Sequence, residues 1–203
     1  VGGQLLLDDI AKERLRIMAR ENARFSGVEI ITQCVMGNHF HLLVRVAAQS
    51  AVSDAELLRR AAGYYGEKSP YRKLLEQTFS EFGGKLPGDL RTGLASRMGD
   101  ISFYMKELKQ RFTKWFNKRH GRFGTLWSER FKSVIVEDEP SVVSTVAAYI
   151  DLNPVRAGLV SDPKDYRWCG YAEAVAGDRD ARSGLAGFHE KKGWSFVSSE
   201  YRK

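Results

Sequence analysis

The chain has 203 residues, 43% of them hydrophobic, enough to bury a sizeable core and more in keeping with one elaborated domain than with two. Its 32 Lys and Arg against 25 Asp and Glu leave a formal charge of +7 and a pI near 9.4, which favours a polyanionic partner, nucleic acid first. Only Cys34 and Cys169 occur, far apart and without metal-type spacing, so neither a disulfide framework nor a Cys-type zinc site is suggested, and no apolar run or leader pattern suggests a membrane or export.

A reducing cytoplasm is the expected setting. The chain starts at Val1 rather than Met, which reads as a fragment or a trimmed chain. In chain order, Asp8-Asp9 can cap a helix whose apolar stripe runs through Ile10, Leu15, Ile17 and Met18 until Phe25-Ser26-Gly27 stops it. Val28 to Val35 is rich in β-branched residues, and Gly37-Asn38 signals a hairpin into a second strand, the pair covering about 28–46. Alternate residues of a strand share a face, so His39 and His41 point the same way. Paired neutral imidazoles suit a divalent metal with a third ligand from elsewhere, although a lone His-x-His is also ordinary on an exposed strand.

Residues 47–51 lose periodicity and read as a linker. From about 52 to 98, Gly and Pro punctuate short helices, with Leu57, Leu58, Ala61 and Ala62 on one face and Leu74, Leu75 and Phe79 on another, which reads as a helical insertion. Tyr64, Tyr65 and Tyr71 in this stretch lack a His or carboxylate cluster at catalytic spacing, so packing or surface roles are expected. Gly99-Asp100 opens a long helix from Ile101 to about Arg119, with Phe112, Trp115 and Phe116 assigned to the core. On it and beyond it Lys106, Lys109, Arg111, Lys114, Lys118, Arg119, Arg122, Arg130 and Lys132 outnumber Glu107 and Glu129. Cations neutralise phosphates and rings such as Phe123 and Trp127 can stack on unpaired bases; a solvated helix face with core aromatics is the competing reading.

Leu126 to Val136 reads as a further strand, firmest from Phe131. Acidic Glu137-Asp138-Glu139 and Pro140 then open a helix through Val142, Val143, Val146, Ala147 and Ile150 that Pro154 interrupts. Tyr149 and Asn153, four residues apart, stand about 40° from one another around it, so a phenol and a carboxamide share a side. Asn153 has a neutral oxygen suited to a two-His metal site, and Tyr149 could attack a phosphate held there. Either residue alone is as readily a helix terminator or a core tyrosine.

Val35-Met36-Gly37-Asn38-His39-Phe40-His41, Asn117-Lys118-Arg119-His120-Gly121, Arg130-Phe131-Lys132, and Tyr149-Ile150-Asp151-Leu152-Asn153-Pro154-Val155-Arg156-Ala157-Gly158-Leu159-Val160 with Tyr166-Arg167-Trp168 together resemble the REP-associated tyrosine transposases of the single-tyrosine HUH superfamily. The likeness spans roughly 1–172. It implies an α+β, ferredoxin-like (RRM-like) antiparallel sheet with helices on one face. His39, His41 and Asn153 are then the ligands of Mg2+ or Mn2+, and Tyr149 is the nucleophile. The implied activity is a metal-dependent endonuclease and transposase that cuts and rejoins single-stranded DNA through a 5′-phosphotyrosine, at hairpin (REP-like) elements. Lys109, Lys114, Lys118, Arg119, Arg122, Arg130 and Lys132 are the expected DNA contacts. A monomer or homodimer in the bacterial cytoplasm, at the nucleoid when bound to DNA, is implied, with no membrane partner.

Family members carry a first core strand ahead of a Gly-Gly-Gln-like segment, whereas here only Val1 precedes Gly2-Gly3-Gln4, and the expected sheet is short of that strand. After about 172 the likeness ends, and 173–203 reads as a basic, mobile tail. Two other functions fit the same residues: a non-catalytic or domesticated nucleic-acid-binding module on this fold, and a phosphodiesterase that uses water in place of Tyr149.

Overall fold

A computed structural model of the chain describes residues 7–46, 52–187 and 193–201. The expected linker at 47–51 and the start of the chain lie outside the described residues. Among those described, the architecture is α+β, with ten helices and one two-stranded antiparallel sheet. The chain divides into two compact units, one from the described parts of Val1–Arg16, Ile30–Arg45 and Phe116–Lys203, the other from Ile17–Glu29 and Val46–Trp115.

Four elements supply residues to both units: helix α1 (Asp9–Ser26), strand β1 (Val28–Val35), strand β2 (Phe40–Val46) and helix α5 (Ile101–His120). Asp8 caps α1, its Oδ1 accepting the Ala11 N–H at 2.8 Å. Leu15 and Met18 of the expected stripe are buried, but Ile10 is exposed, because it leads into the first turn on the outer side. The β1–β2 hairpin closes as its turn residues require: the Met36 N–H meets the His39 carbonyl at 2.8 Å around a two-residue Gly37-Asn38 loop.

In the first unit, α6 (Pro140–Asp151) and the short α7 (Asn153–Arg156) follow one another across Leu152. Val143, Ala147 and Ile150, at three- and four-residue spacing, share a buried cluster with Ile31, Cys34, Met36 and Leu43 of the hairpin. Cys169 forms a single antiparallel bridge with Cys34, and the Tyr166 hydroxyl donates to the Val35 carbonyl at 2.8 Å. Gly184 lies so close to β1 that a Cβ there would collide with the Ile30 and Ile31 carbonyls.

Two sequence expectations need correction in this unit. Residues 173–203 are not a mobile tail where described: α8 (Gly170–Val175) runs through the 172 boundary, and α9 (Arg179–Ala186) and α10 (Trp194–Glu200) bring Ala181, Leu185 and Val197 into the same core. Their apolar residues fall at helical rather than continuous spacing, which dilutes them among charges in the linear sequence. Second, Leu126 to Val136 forms no strand. Residues 130–138 make no backbone–backbone hydrogen bond among the described residues, and Val134 and Ile135 are 87% and 98% exposed. Alternation gives a segment the tendency to be a strand, but a ladder needs a neighbouring strand, and none is seen beside this one among the described residues.

The buried carboxyl groups Asp151 and Glu173 of this unit are hydrogen-bonded. Asp151 accepts from Thr32 Oγ1 at 2.9 Å, Tyr201 OH at 2.8 Å and the Tyr171 N–H at 3.3 Å. Glu173 accepts from Arg16 at 2.9 Å and from Gln33 Nε2 at 3.3 Å.

The second unit contains the expected insertion as α2 (Asp54–Tyr65), α3 (Pro70–Glu81) and α4 (Gly88–Ala95), with caps from Ser53 and Ser69 and a first-turn Pro70. Leu57, Ala61, Leu75, Leu94 and Met98 bury around Phe25; Leu74, expected on that face, is exposed beside Leu75. Helix α5 (Ile101–His120) begins where Asp100 Oδ1 accepts the Phe103 N–H at 2.9 Å. Tyr64 donates to Glu107 at 2.7 Å and packs with Phe25 and Tyr65, so these tyrosines serve packing.

Candidate functional site

His39 immediately precedes β2 and His41 lies within it. Their ring centroids are 5.0 Å apart, edge to face. Leu43, two residues further along the same face, is buried against Val143, Ala147 and Ile150, so the face that carries both imidazoles is the face on which α6 packs. Arg45, next on that face, bonds Asp138, two residues before α6, at 2.8 Å.

His39 Nδ1 is 2.7 Å from Asn38 Oδ1. A carboxamide oxygen only accepts, so Nδ1 carries the hydrogen and Nε2 keeps its lone pair. Burial holds both imidazoles below the usual histidine range, and for His41 repulsion from His39 adds to it. Both are therefore neutral near pH 7, the form that ligates a metal.

On α6, Tyr149 is 52% exposed. Asn153 Nδ2 donates to the carbonyls of Tyr149 and Ile150, each at 3.0 Å, which ties the end of α6 to the start of α7 and leaves Oδ1 without a hydrogen bond among the described residues. Pro154 lies in the first turn of α7, where its missing N–H costs nothing, so the chain resumes helical structure after Leu152. The ring contact of Tyr149 is with Arg156, whose guanidinium carbon is 4.6 Å from the ring centroid.

The structure thus pairs His39 with His41 and packs α6, which carries Tyr149, on their side of the hairpin, with Asn153 opening α7 just beyond it. No group of three His, Cys, Asp or Glu side chains converges among the described residues, so a metal at the imidazoles would draw its other ligands from a neutral oxygen such as Asn153 Oδ1, water or substrate. Two neutral imidazoles, one with its tautomer set by a neighbouring amide, fit such an ion.

The expected DNA contacts differ in availability. In the first unit Lys118, Arg130 and Lys132 are exposed, Lys132 pairing loosely with Glu129 at 3.3 Å. Arg122 lies over the Phe116 ring at 5.8 Å. Arg119 is held by both oxygens of Asp8, at 2.8 and 2.7 Å, and that pairing holds the Asp8 carboxyl down at about 2. Its charge is largely balanced within the protein. In the second unit Lys114 is exposed and Lys109 is half-buried, its amine pushed down by burial. Of the aromatics proposed for stacking, Phe123 is 94% exposed, whereas Trp127 packs edge-on against Phe40 at 5.4 Å.

Asn38 and Arg156 had no assigned role in the sequence reading. Asn38 was visible only as a turn residue. The signal for Arg156 was its seven-residue spacing from Tyr149, which returns a helix to the same side. Comparison with protein-family models, with curated proteins and with solved structures finds no match to this chain.

Proposed function

We propose that this protein is a metal-dependent single-stranded DNA endonuclease and strand-transfer enzyme of the REP-associated tyrosine transposase type, built on a ferredoxin-like sheet and acting at hairpin-forming DNA. The observation that carries this reading is the His39–His41 pair, 5.0 Å ring to ring, on the face of the hairpin that packs against α6, the helix bearing Tyr149.

His39, His41 and the Asn153 oxygen would hold Mg2+ or Mn2+, which would supply Lewis acidity toward a phosphate bound there. The Tyr149 hydroxyl attacks phosphorus as the bond to the 3′ oxygen breaks, giving a 5′-phosphotyrosine and a free 3′-OH; the phenolic proton passes to solvent and the departing oxygen takes one up. One phosphodiester replaces another of similar energy, so a second 3′-OH reverses the step and joins new ends without ATP. Lys118, Arg122, Arg130 and Lys132 neutralise flanking phosphates.

Incubation with Mn2+ and a labelled hairpin-bearing single strand should give a protein–DNA species that survives denaturing electrophoresis. Tyr149→Phe should abolish that species and leave DNA binding intact. Retained binding with no adduct from the unmutated protein would favour a non-catalytic binding module, and multiple turnover by the Phe variant would favour water as nucleophile.

A further inference from the structure

Arg156 ends α7, and its guanidinium covers the Tyr149 ring at 4.6 Å. Seven residues make nearly two helical turns, so the two side chains emerge on one side, and a long helical side chain leans toward the N-terminus, which brings the guanidinium back over the ring. The backbone holds this geometry across the Pro154 junction: the Arg156 N–H donates to Leu152 O at 3.0 Å and the Ala157 N–H to Asn153 O at 2.9 Å.

Three other arginines of this unit are committed to carboxylates, Arg119 to Asp8, Arg45 to Asp138 and Arg16 to Glu13 and Glu173. Arg156 is exposed and, among the described residues, its guanidinium has no hydrogen bond or ion pair. A guanidinium lying on a ring keeps its edge N–H groups outward, in the fork that matches two phosphate oxygens.

We propose that Arg156 binds the DNA phosphodiester that Tyr149 attacks, taking its non-bridging oxygens, holding phosphorus within reach of the phenol and balancing the charge that builds on those oxygens. This rests on Tyr149 being the nucleophile. In the step the Tyr149 oxygen–phosphorus bond forms and the phosphorus–3′ oxygen bond breaks, while Arg156 stays protonated throughout.

The test compares unmutated protein, Arg156→Gln, Arg156→Lys and Tyr149→Phe with Mn2+ and a hairpin-bearing single strand. Adduct formation is timed at saturating DNA, and affinity is read separately by fluorescence anisotropy. Arg156→Gln should slow the covalent step about 100-fold, with affinity nearly unchanged and the same melting temperature. Arg156→Lys should recover part of the rate, and added guanidinium ion should speed Arg156→Gln but not Tyr149→Phe. An Arg156→Gln rate equal to that of the unmutated protein overturns the proposal, as does a loss that vanishes at saturating DNA or an absence of rescue by both lysine and guanidinium. If the unmutated protein forms no adduct, the nucleophile reading falls and this role falls with it; if it does and Arg156→Gln matches it, only the role of Arg156 falls.

Discussion

Asn38 sets which nitrogen of His39 is available, because its Oδ1 fixes the hydrogen on Nδ1 at 2.7 Å. Removing such an outer partner leaves the ligand in place but lets its ring turn and its tautomer vary. Asn38→Ala should therefore weaken Mn2+ binding about 10-fold by calorimetry, with little change in melting temperature, whereas His39→Ala should remove binding outright. Asp151 concerns stability instead. Burial pushes its carboxyl up to about 7, while the bonds from Tyr201, Thr32 and the Tyr171 N–H oppose that rise. A carboxyl raised in the native state holds a proton that the unfolded chain has already lost, so stability should fall as pH rises from about 4 to about 7 and level off above. Urea unfolding should give greater stability at about pH 5 than at about pH 8, and Asp151→Asn should shrink that difference.

Elements differ in how much of their structure is their own. The β1–β2 hairpin needs only its turn and its pattern, and the expected 28–46 matches Val28–Val35 and Phe40–Val46. Helix α6 likewise follows from Pro140 and from apolar residues at helical spacing. Phe131 to Val136 has the same quality of local signal but no ladder among the described residues. Hydrogen exchange should separate the two, with amides of Ile31 to Val35 protected and those of 131–136 exchanging at near-intrinsic rates. Protection of 131–136 as strong as that of β1 would show the segment paired.

At the scale of the molecule, each unit takes its core from distant stretches of chain. The insertion does not stand alone: its unit includes Ile17–Glu29 and the α5 residues up to Trp115, with the Tyr104 hydroxyl donating to Ala19 O at 3.1 Å and Arg111 bonding Glu21 at 2.9 Å. In the other unit, α10 buries Val197 completely, and Tyr201 reaches Asp151. Truncation after Gly187 should lower stability by about 2–4 kcal/mol, from lost apolar burial and an orphaned acceptor at Asp151, measured by urea unfolding. A tail without core contacts would be removed with no such loss.

The sequence by itself determined the hairpin, the long helices and the shared strand face of His39 and His41, because turn chemistry and side-chain period act over a few residues. Tertiary structure decided the rest. It put Arg119 on Asp8, 111 positions away, made the C-terminal helices part of the core, and joined Thr32 to Asp151 across 119 positions. Ion pairs, ladders and burial depend on which groups fold into contact, and local pattern carries no record of a partner so far along the chain.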